Sequence, residues 1–473
     1  MIQRIINFIA MNQEHINYFK EHFSTISFTD ETHLATYSHD ETEDLRFPPA
    51  LVLKPKTVEE ISAIMRYAHA NAIPVTPAGA RTGLSGGMLP VHGGILLSME
   101  AFNSILKIDE NNLQVTTEPG VITEVLQNAV KEKGLFYPPD PASKGSCFIG
   151  GNVSENSGGP KAVKYGVTSD YVLNLEVVLA DGSVIWTGAN VLKNATGYNL
   201  TQLMVGSEGT LGIITKIVLK LIPLPPIDNL MLVPFYSAKE ACKAVAAIFK
   251  AGITPSGLEF MERDALTWTL EHFPDIQLKV AENHQAHLLI EVDGFETDEL
   301  FKECERIINV LEHFQTDEIL FAESQAQKDQ LWTLRRKVGE AVKAHSIYKE
   351  EDTVVPRYEL PQLLEGVKKI GKKYGFKSVC YGHAGDGNLH VNIIKGDLSE
   401  QQWEEELPKA IKEIFELTVS LGGTISGEHG IGWVQKNYMP IAFSKVQLDI
   451  MRQIKTVFDP KNILNPGKIF PES

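Results

Sequence analysis

Residues 77–87 read Pro77-Ala-Gly-Ala-Arg-Thr-Gly-Leu-Ser-Gly-Gly87, and this glycine-rich stretch argues against one common nucleotide-binding fold. Its glycines do not follow the G-x-G-x-x-G spacing, and the residues from Met88 onwards do not begin a helix. A Rossmann pyrophosphate site requires that helix N-terminus, so a nicotinamide-binding fold is not expected. Several glycines can instead turn backbone N–H groups towards an anion, with hydroxyl donors from Thr82 and Ser85, although such loops are often only turns.

Two further glycine-rich loops follow in the same half of the chain. The second is Cys147-Phe-Ile-Gly-Gly-Asn-Val-Ser-Glu-Asn-Ser-Gly-Gly159, and the third is Gly206-Ser-Glu-Gly-Thr-Leu-Gly212. Turn geometry alone does not account for three such loops in one α/β domain. A large phosphate-bearing ligand that lies across the domain, with the backbone packed closely against it, explains all three together.

Hydrophobic patterns around the loops predict the domain organisation. A polar lead-in with helical character occupies residues 1–45, and an α/β domain occupies residues 46–226, with hairpins at 105–117 and 172–187 and a helix capped by Thr57 and Glu60. Pro223-Leu-Pro-Pro226 marks the boundary to a second domain, residues 227–421. There, strands alternate with long amphipathic helices, which predicts an α+β domain whose antiparallel sheet is covered by helices. Residues 422–473 form a C-terminal segment.

A histidine motif lies near the end of the second domain, in Gly382-His-Ala-Gly-Asp-Gly-Asn-Leu-His390. Asp386-Gly387 suits the two central positions of a type I′ hairpin turn. Such a turn would place His383 directly opposite His390, with the side chains on one face about 5 Å apart. Two imidazoles in this arrangement can bind one metal ion, and a hairpin with two incidental histidines is the alternative.

A second fragment, Ser426-Gly-Glu-His-Gly430, strengthens the metal interpretation. Glu428 would complete a His₂Glu ligand set, which leaves a coordination position open for a substrate. His429 is the next residue, so its side chain can point at a bound substrate without being a ligand.

Composition limits the classes of partner. The chain has 473 residues, of which 43% are hydrophobic and 22% are charged, and its net charge is −16. This charge argues against nucleic acid or an anionic membrane as a constant partner. The four cysteines form no C-x-x-C pair, no stretch is long and apolar enough to span a membrane, and no signal peptide is evident. We therefore expect a soluble cytoplasmic protein, at most peripheral at a membrane.

Together these motifs resemble a known superfamily. Arg81-Thr-Gly-Leu-Ser-Gly-Gly87, Ile149-Gly-Gly-Asn152, Ser157-Gly-Gly-Pro-Lys161, Lys164-Tyr-Gly166 and Ser207-Glu-Gly-Thr-Leu-Gly212 resemble the FAD domain of the vanillyl-alcohol oxidase / p-cresol methylhydroxylase (PCMH) superfamily. The histidine motif, Gly427-Glu-His-Gly430 and Asn465-Pro-Gly-Lys468 resemble its D-2-hydroxy-acid dehydrogenase branch, which includes D-lactate dehydrogenase, the FAD subunit of glycolate oxidase and D-2-hydroxyglutarate dehydrogenase. The resemblance spans residues 46–470.

The resemblance implies an α+β fold with a PCMH-type FAD-binding domain of two subdomains. A cap domain with an antiparallel sheet, of the FAD-linked oxidase C-terminal type, would complete it, and the C-terminal segment would return to the FAD domain. The first loop has no histidine or cysteine for a covalent flavin link, so noncovalent FAD is expected. Arg81 replaces a glycine that relatives often have, and it either reaches the pyrophosphate or faces solvent. The implied FAD-binding residues are Pro77, Gly79, Ala80, Arg81, Thr82, Gly83, Leu84, Ser85, Asp140, Ile149, Gly150, Gly151, Asn152, Ser157, Gly158, Gly159, Tyr165, Gly166, Glu208, Gly209, Gly212, Ile213 and Asn465.

The resemblance also implies a mechanism. His383, His390 and Glu428 match the family's ligands for a divalent metal, which these ligand types suggest is zinc, and His429 matches the catalytic base. The metal would lower the pKa of the substrate hydroxyl, His429 would remove its proton, and the Cα hydrogen would pass to flavin N5 as hydride. His429 could alternatively be a third ligand or a structural residue.

Arg335 matches the family arginine that binds the substrate carboxylate. Alternatively, Arg335 is a surface residue, or Arg336 is the arginine that faces inward and takes this role. Asn392 would share the face of His390 and contact the substrate.

The identity of the hydroxy acid is less clear from the sequence. Lys349 lies near the position of the lysine with which hydroxyglutarate enzymes bind a second carboxylate, but the alignment on Asp352 places Glu350 there. This slightly favours D-lactate or a similar monocarboxylate, with D-2-hydroxyglutarate and glycolate as alternatives. A redox-neutral FAD transferase like alkylglycerone-phosphate synthase, or a non-catalytic FAD subunit, is a further alternative. The expected partners are the small hydroxy acid and an electron acceptor (quinone, cytochrome, electron-transfer flavoprotein or oxygen), and a homodimer is the default assembly.

Overall fold

The computed structural model describes residues 11–42 and 45–472, which divide into two compact units. The first unit contains the chain up to Ser157, Val167–Leu224 and the chain from Glu428 onwards, and the second contains Gly158–Gly166 and Pro225–Gly427. The chain passes from the first unit to the second between Leu224 and Pro225, within the proline-rich segment in which the sequence predicts a boundary. It returns to the first unit at Glu428, whereas the sequence predicts the return at residue 422. The short passage of Gly158–Gly166 through the second unit is not foreseen.

The strands account for most of the sheet architecture in both units. In chain order they are β1 (Ser27–Phe28), β2 (Leu51–Leu53), β3 (Val75–Ala78), β4 (Ile95–Ser98), β5 (Ile105–Asp109), β6 (Gln114–Thr117), β7 (Leu135–Phe136), β8 (Val172–Val178), β9 (Val184–Trp186), β10 (Ile213–Lys220), β11 (Ile222–Pro223), β12 (Ile227–Phe235), β13 (Gly257–Glu262), β14 (Ala286–Gly294), β15 (Leu320–Phe321), β16 (Tyr348–Val354), β17 (Lys377–Gly382) and β18 (Asn388–Ile394).

The α-helices range from single turns to a helix of 21 residues. In chain order they are α1 (Gln13–His22), α2 (Glu31–Thr36), α3 (Val58–Ala70), α4 (Thr123–Lys131), α5 (Ile149–Glu155), α6 (Ala162–Tyr165), α7 (Leu200–Met204), α8 (Ala238–Lys250), α9 (Arg263–His272), α10 (Thr297–Leu311), α11 (Gln325–His345), α12 (Leu360–Tyr374), α13 (Leu407–Ser420), α14 (Met439–Ala442) and α15 (Lys445–Phe458).

The first unit is built on two main sheets. One has four strands in the order β1-β2-β4-β3, in which β2, β4 and β3 are parallel, and the other has five antiparallel strands in the order β5-β6-β10-β8-β9. Both predicted hairpins, β5–β6 and β8–β9, are confirmed. Two sheets in this unit agree with the two-subdomain FAD domain that the sequence resembles.

Helix α3 shows how the sequence produces the core of the first sheet. The predicted capping box is present: the Thr57 side chain accepts from Glu60 N, and the Glu60 side chain accepts from Thr57 N. The apolar face of α3 is fully buried with residues of β2, β3 and β4, which is where an amphipathic helix gains its stability. The C-terminal segment joins this sheet, because Leu464 forms a parallel bridge to Val75.

The second unit contains the predicted antiparallel sheet with its helices. Its seven strands lie in the order β15-β12-β14-β13-β17-β18-β16, and every pair is antiparallel. Its long helices include α8, α10, α11 and α12, which alternate with the strands as the amphipathic pattern predicts. Strand β16 is absent from the sequence analysis, although it forms the edge of the sheet beside the histidine strand β18.

The histidine hairpin differs from the prediction in its register. Strands β17 and β18 pair Tyr381 with His390, so His383 lies beyond the paired residues and not opposite His390. The predicted two-residue type I′ turn is wrong: Ala384–Asp386 forms a 3₁₀ turn, and only Gly387 has a positive φ, of 88°. The backbone N–H groups of Asp386 and Asn388 both donate to His383 O, which closes this longer loop.

The second glycine-rich stretch is partly helical and not a loop throughout. Residues Ile149–Glu155 form helix α5, which ends at Asn156 in a left-handed conformation with φ 56°. Among residues 11–42 and 45–472, no helix has both the length and the apolar character needed to cross a bilayer.

Candidate functional site

The first unit contains a glycine-lined groove formed by two adjoining cavities that share Gly79, Gly87, Met88, Gly151 and Glu155. The inner cavity extends to Pro119, Glu208 and Gly209, and the outer cavity extends to Ser143, Glu428 and His429. The three glycine-rich segments therefore meet at one place, as the sequence analysis expects of a single large ligand.

Most of the predicted FAD-binding residues line this groove. Those that do are Pro77, Gly79, Ala80, Arg81, Thr82, Gly83, Leu84, Gly150, Gly151, Asn152, Ser157, Glu208, Gly209, Gly212 and Ile213. Four others, Ser85, Asp140, Ile149 and Asn465, are buried in the same unit behind the lining. Gly158, Gly159, Tyr165 and Gly166 belong to the second unit, where the Tyr165 hydroxyl donates to Asp293 Oδ1 at 2.8 Å.

Two glycines in the groove wall pack closely against proline rings. A Cβ added to Gly150 would lie 2.4 Å from Pro119 Cβ, and one added to Gly209 would lie 2.6 Å from Pro77 Cγ, so only glycine lets the backbone approach these rings so closely. Asn465 holds two of them together, because its side-chain amide donates to Gly87 O at 2.8 Å and to Glu208 O at 2.7 Å.

Arg81 lines the groove and also contacts the N-terminal segment. Its backbone has a positive φ of 65°, which is uncommon for a side chain of this size. Its guanidinium donates to Thr36 O and lies 4.9 Å from the centroid of the Tyr37 ring. Arg81 thus connects the first glycine loop to the N-terminal segment.

Two carboxyl groups, those of Glu155 and Glu208, lie close together in the wall of the inner cavity. The Glu208 carboxylate accepts from Ile431 N at 2.8 Å and from Gly432 N at 2.7 Å. A Cβ added to Gly430 would lie 2.1 Å from Glu155 Oε2 and 3.2 Å from Glu208 Oε1, which shows how close the two side chains are. Burial and the neighbouring Glu208 raise the pKa of Glu155 well above its usual value.

The second unit contains a buried charged cluster around His383. His383 Nδ1 lies 2.9 and 2.8 Å from the two carboxylate oxygens of Glu259, and Arg335 Nη2 lies 2.7 Å from Glu259 Oε2. Glu259 is completely buried. Burial alone would raise its pKa, but the charges of His383 and Arg335 hold the pKa below its usual value.

The two histidines of the hairpin face each other despite the changed register. Their ring centroids are 5.5 Å apart at an interplanar angle of 82°. Because His383 uses Nδ1 to contact Glu259, its Nε2 is the nitrogen left for a metal ion. The donor set of this pair therefore fits a divalent metal such as zinc.

The arginine that points inward is Arg335 and not Arg336. Arg335 is buried, and its guanidinium lies 5.1 Å from the centroid of the Tyr381 ring, whereas Arg336 lies over the ring of Trp332.

Strand β16 brings two carboxylates to the face of His390 and Asn392. It pairs Glu350 with Asn392 and Asp352 with His390, and directly opposite residues share a face of the sheet. Glu350 Oε1 lies 3.3 Å from His390 Nδ1. Lys349 pairs with Ile393, so the register directs it to the other face, and the sheet does not bring it to the predicted substrate contact Asn392.

Asp352 anchors the residues that precede Glu428. Its Oδ2 accepts from Gly427 N at 2.8 Å and from Ser426 Oγ at 3.1 Å, and its Oδ1 accepts from Asn388 Nδ2 at 2.6 Å. A side chain on Gly427 would lie 2.5 Å from Asn388 Nδ2, so the segment runs directly against the histidine strand.

Glu259 and Glu155 are two site residues that the sequence motifs do not predict. A single acid within the apolar strand Gly257-Leu-Glu-Phe-Met261 is a usable signal, because an unpaired glutamate is very rarely fully buried. Glu155 lies in a stretch whose glycines predict a loop, although it forms the end of helix α5, and a glutamate in a predicted loop gives no signal.

Two family descriptions match the chain. The FAD binding domain matches residues 49–188, and the C-terminal domain of FAD linked oxidases matches residues 224–469.

Named relatives match over nearly the whole length. The glycolate oxidase subunit GlcD of Bacillus subtilis is 42% identical over 443 residues, covering 92% of each chain. The D-lactate dehydrogenase of Anaerostipes hadrus is 37% identical over 439 residues, again covering 92% of each chain. Among solved structures, p-cresol methylhydroxylase has a TM-score of 0.76 at 17% identity, covering 97% of this chain and 96% of that chain, which shows a shared fold.

Proposed function

This chain belongs to the family of FAD-linked oxidases, and from that premise we propose that it oxidises a D-2-hydroxy acid to the 2-oxo acid. The observation that carries the proposal is the buried cluster of His383, Glu259 and Arg335 beside His390. The histidines are metal-ligand types, and Arg335 is a cation that can bind a carboxylate. Activation of a 2-hydroxy acid requires both, one for its hydroxyl group and one for its carboxylate.

Each histidine has a separate role in the proposal. His383 and His390, with Glu428, would hold a divalent ion, for which the nitrogen and carboxylate donors favour zinc. The bound ion would supply Lewis acidity, which lowers the pKa of a substrate hydroxyl. His429, in the groove lining next to Glu428, would remove the hydroxyl proton as general base.

The glycine-lined groove would hold FAD noncovalently through backbone N–H groups and the residues that line it. Bound FAD would accept the Cα hydrogen of the substrate as hydride at N5. The chain's own contribution would be to hold and orient the flavin, with glycines in the lining so that the backbone can approach it closely.

Arg335 would bind the substrate carboxylate. Glu259 contacts its Nη2, and a guanidinium has five N–H donors, so other donors stay available for a bidentate pair with the substrate. Asn392, fully buried on the same face as His390, would contact the substrate as well.

We favour a monocarboxylic substrate such as D-lactate. Glu350 lies 3.3 Å from His390 Nδ1 on the face that carries Asn392. A carboxylate there would repel a second substrate carboxylate, because like charges in a buried site repel strongly. Glycolate is the alternative that the Bacillus subtilis relative supports, and D-2-hydroxyglutarate fits this charge less well.

The test is anaerobic visible spectroscopy of the purified protein with D-lactate, glycolate, D-2-hydroxyglutarate and D-malate added in turn. We expect D-lactate, and not L-lactate, to bleach the flavin band, and a chelator to prevent this. The matched variant is Glu350→Gln, which should improve turnover of D-2-hydroxyglutarate relative to D-lactate. A flavin- and metal-loaded protein that none of these acids reduces would contradict the proposal and would favour a redox-neutral transferase.

A further inference from the structure

Glu155 is a buried carboxyl in the wall of the glycine-lined groove that none of the roles above uses. It belongs to the lining of both the inner and the outer cavity, so it stands where they join. Its Oε2 atom is buried and has no hydrogen-bond partner among the described residues. A buried polar atom without a partner is costly, and the cost is removed if a bound ligand supplies the partner.

The surroundings determine which form of the carboxyl faces the groove. Glu208 lies beside it and accepts two backbone N–H bonds, from Ile431 and Gly432, which stabilise an ionised carboxylate. Two carboxylates this close in a buried site do not both ionise readily, so the proton falls on the member that lacks such donors, which is Glu155.

The remaining charged groups of the cluster do not reverse this conclusion. Asp40 is a third acid nearby and opposes a charge on Glu155, and Lys468 is the cation that favours one. The Lys468 ammonium is already engaged, because it donates to Leu89 O at 2.5 Å and to Asn465 Oδ1 at 2.9 Å. Burial also lowers the pKa of Lys468 to about 7, so its charge is only partial near neutral pH.

We propose that Glu155 acts as a neutral carboxylic acid whose O–H donates a hydrogen bond to an acceptor oxygen of bound FAD. A neutral donor suits this place, since an ionised glutamate beside a phosphate-bearing cofactor would repel it. The proposal rests on FAD binding and not on the identity of the hydroxy acid. The acceptor is either a pyrophosphate oxygen or an oxygen of the flavin half, and both offer the same chemistry to the donor.

The experiment measures FAD release from the purified holoprotein of Glu155→Gln and Glu155→Leu. Glutamine is a neutral isostere that keeps a donor, so its release rate should stay within about threefold of the wild type. Leucine has no donor, and the loss of one hydrogen bond to the ligand should accelerate release about tenfold. The same two substitutions at Glu132, an exposed residue at the end of α4, serve as matched controls and should change nothing.

Titration of the apoproteins with FAD, FMN and ADP locates the acceptor. A weaker affinity of Glu155→Leu for FAD and ADP, with FMN unchanged, assigns the bond to the pyrophosphate half. A weaker affinity for FAD and FMN, with ADP unchanged, assigns it to the flavin half. Thermal melting without FAD separates binding from folding. The proposal is overturned if Glu155→Leu retains FAD like the wild type, or if Glu155→Gln binds FAD more than about tenfold tighter, which would mean that the native carboxyl is ionised.

Discussion

Replacing Glu259 by glutamine should weaken metal binding while the second unit stays folded. Glutamine has the same shape as glutamate, so it fits the completely buried space without a cavity. It keeps one oxygen to accept a hydrogen bond from His383 Nδ1, but it removes the negative charge that both His383 and Arg335 contact. The change therefore tests the charge and not the packing.

The expected size follows from these contacts. The hydrogen bond with His383 becomes a neutral-acceptor bond and loses about 1 kcal/mol, since hydrogen bonds to charged groups contribute about 1.5–3 kcal/mol against about 1 kcal/mol for neutral ones. The buried Arg335 also loses the anionic partner of its ion pair, which typically costs about 3–5 kcal/mol of stability, so the melting temperature should fall as well. Loss of a carboxylate that orients a metal-binding histidine typically lowers metal affinity about 10- to 100-fold. We expect a decrease in zinc affinity within that range, and a raised KM for the hydroxy acid because Arg335 loses its fixed partner.

The assay is competition for zinc between the protein and a coloured chelator, combined with thermal melting. Glu262→Gln is the matched control on the same strand, because Glu262 forms an ion pair with Lys368 at 2.7 Å and contacts neither His383 nor Arg335 in the structure. Zinc affinity of Glu259→Gln within threefold of the Glu262→Gln value would refute the reasoning. A wild-type protein that binds no zinc would instead refute the proposed metal site itself.

Three further predictions address other parts of the molecule. Asp352→Asn should lower the melting temperature and reduce zinc affinity about tenfold, because an amide N–H₂ in place of Oδ2 would face the Gly427 N–H, and chelator competition measures it. Gly151→Ala should weaken FAD binding about tenfold or more without lowering the melting temperature of the apoprotein, and flavin content reports the loss. Apart from its chain neighbours and the backbone of its own helix, no described atom lies within 4 Å of the added Cβ, so this Cβ projects into the groove. Burial and His284 lower the pKa of His287 to about 4, below the unfolded value of 6.5. As pH falls, the unfolded chain therefore binds a proton at this histidine before the folded protein does. The free energy of unfolding should fall by about 3 kcal/mol between pH 6.5 and pH 4, and urea unfolding of His287→Gln should lack this dependence on pH.

The sequence predicts the parts of this fold that depend on local patterns. Helix α3 is recognisable because a capping box precedes a helical apolar period, and the β8–β9 hairpin because Asp181-Gly182 separates two apolar runs. The glycine-rich segments predict the groove, since three runs of glycine within one domain indicate backbone that packs closely against a ligand. The predicted register of the β17–β18 hairpin is wrong because the dipeptide Asp386-Gly387 does not reveal the length of its loop. The same two residues suit a two-residue type I′ turn and also the end of the longer loop that the structure has.

What the sequence does not reveal is concentrated in the charged residues of the site. Strand β16 reads Tyr-Lys-Glu-Glu-Asp-Thr-Val, and acidic residues are disfavoured in strands, so nothing local predicts a strand there. Yet Glu351, Asp352 and Thr353 are all buried, as is Glu259 within an otherwise apolar strand. The stability of the fold alone would favour apolar residues at these buried positions, because burying a charge costs free energy unless a partner is present. Local preference and tertiary structure therefore disagree at Glu259 and Asp352, and such disagreement is expected where chemistry, and not folding, imposes the residue type.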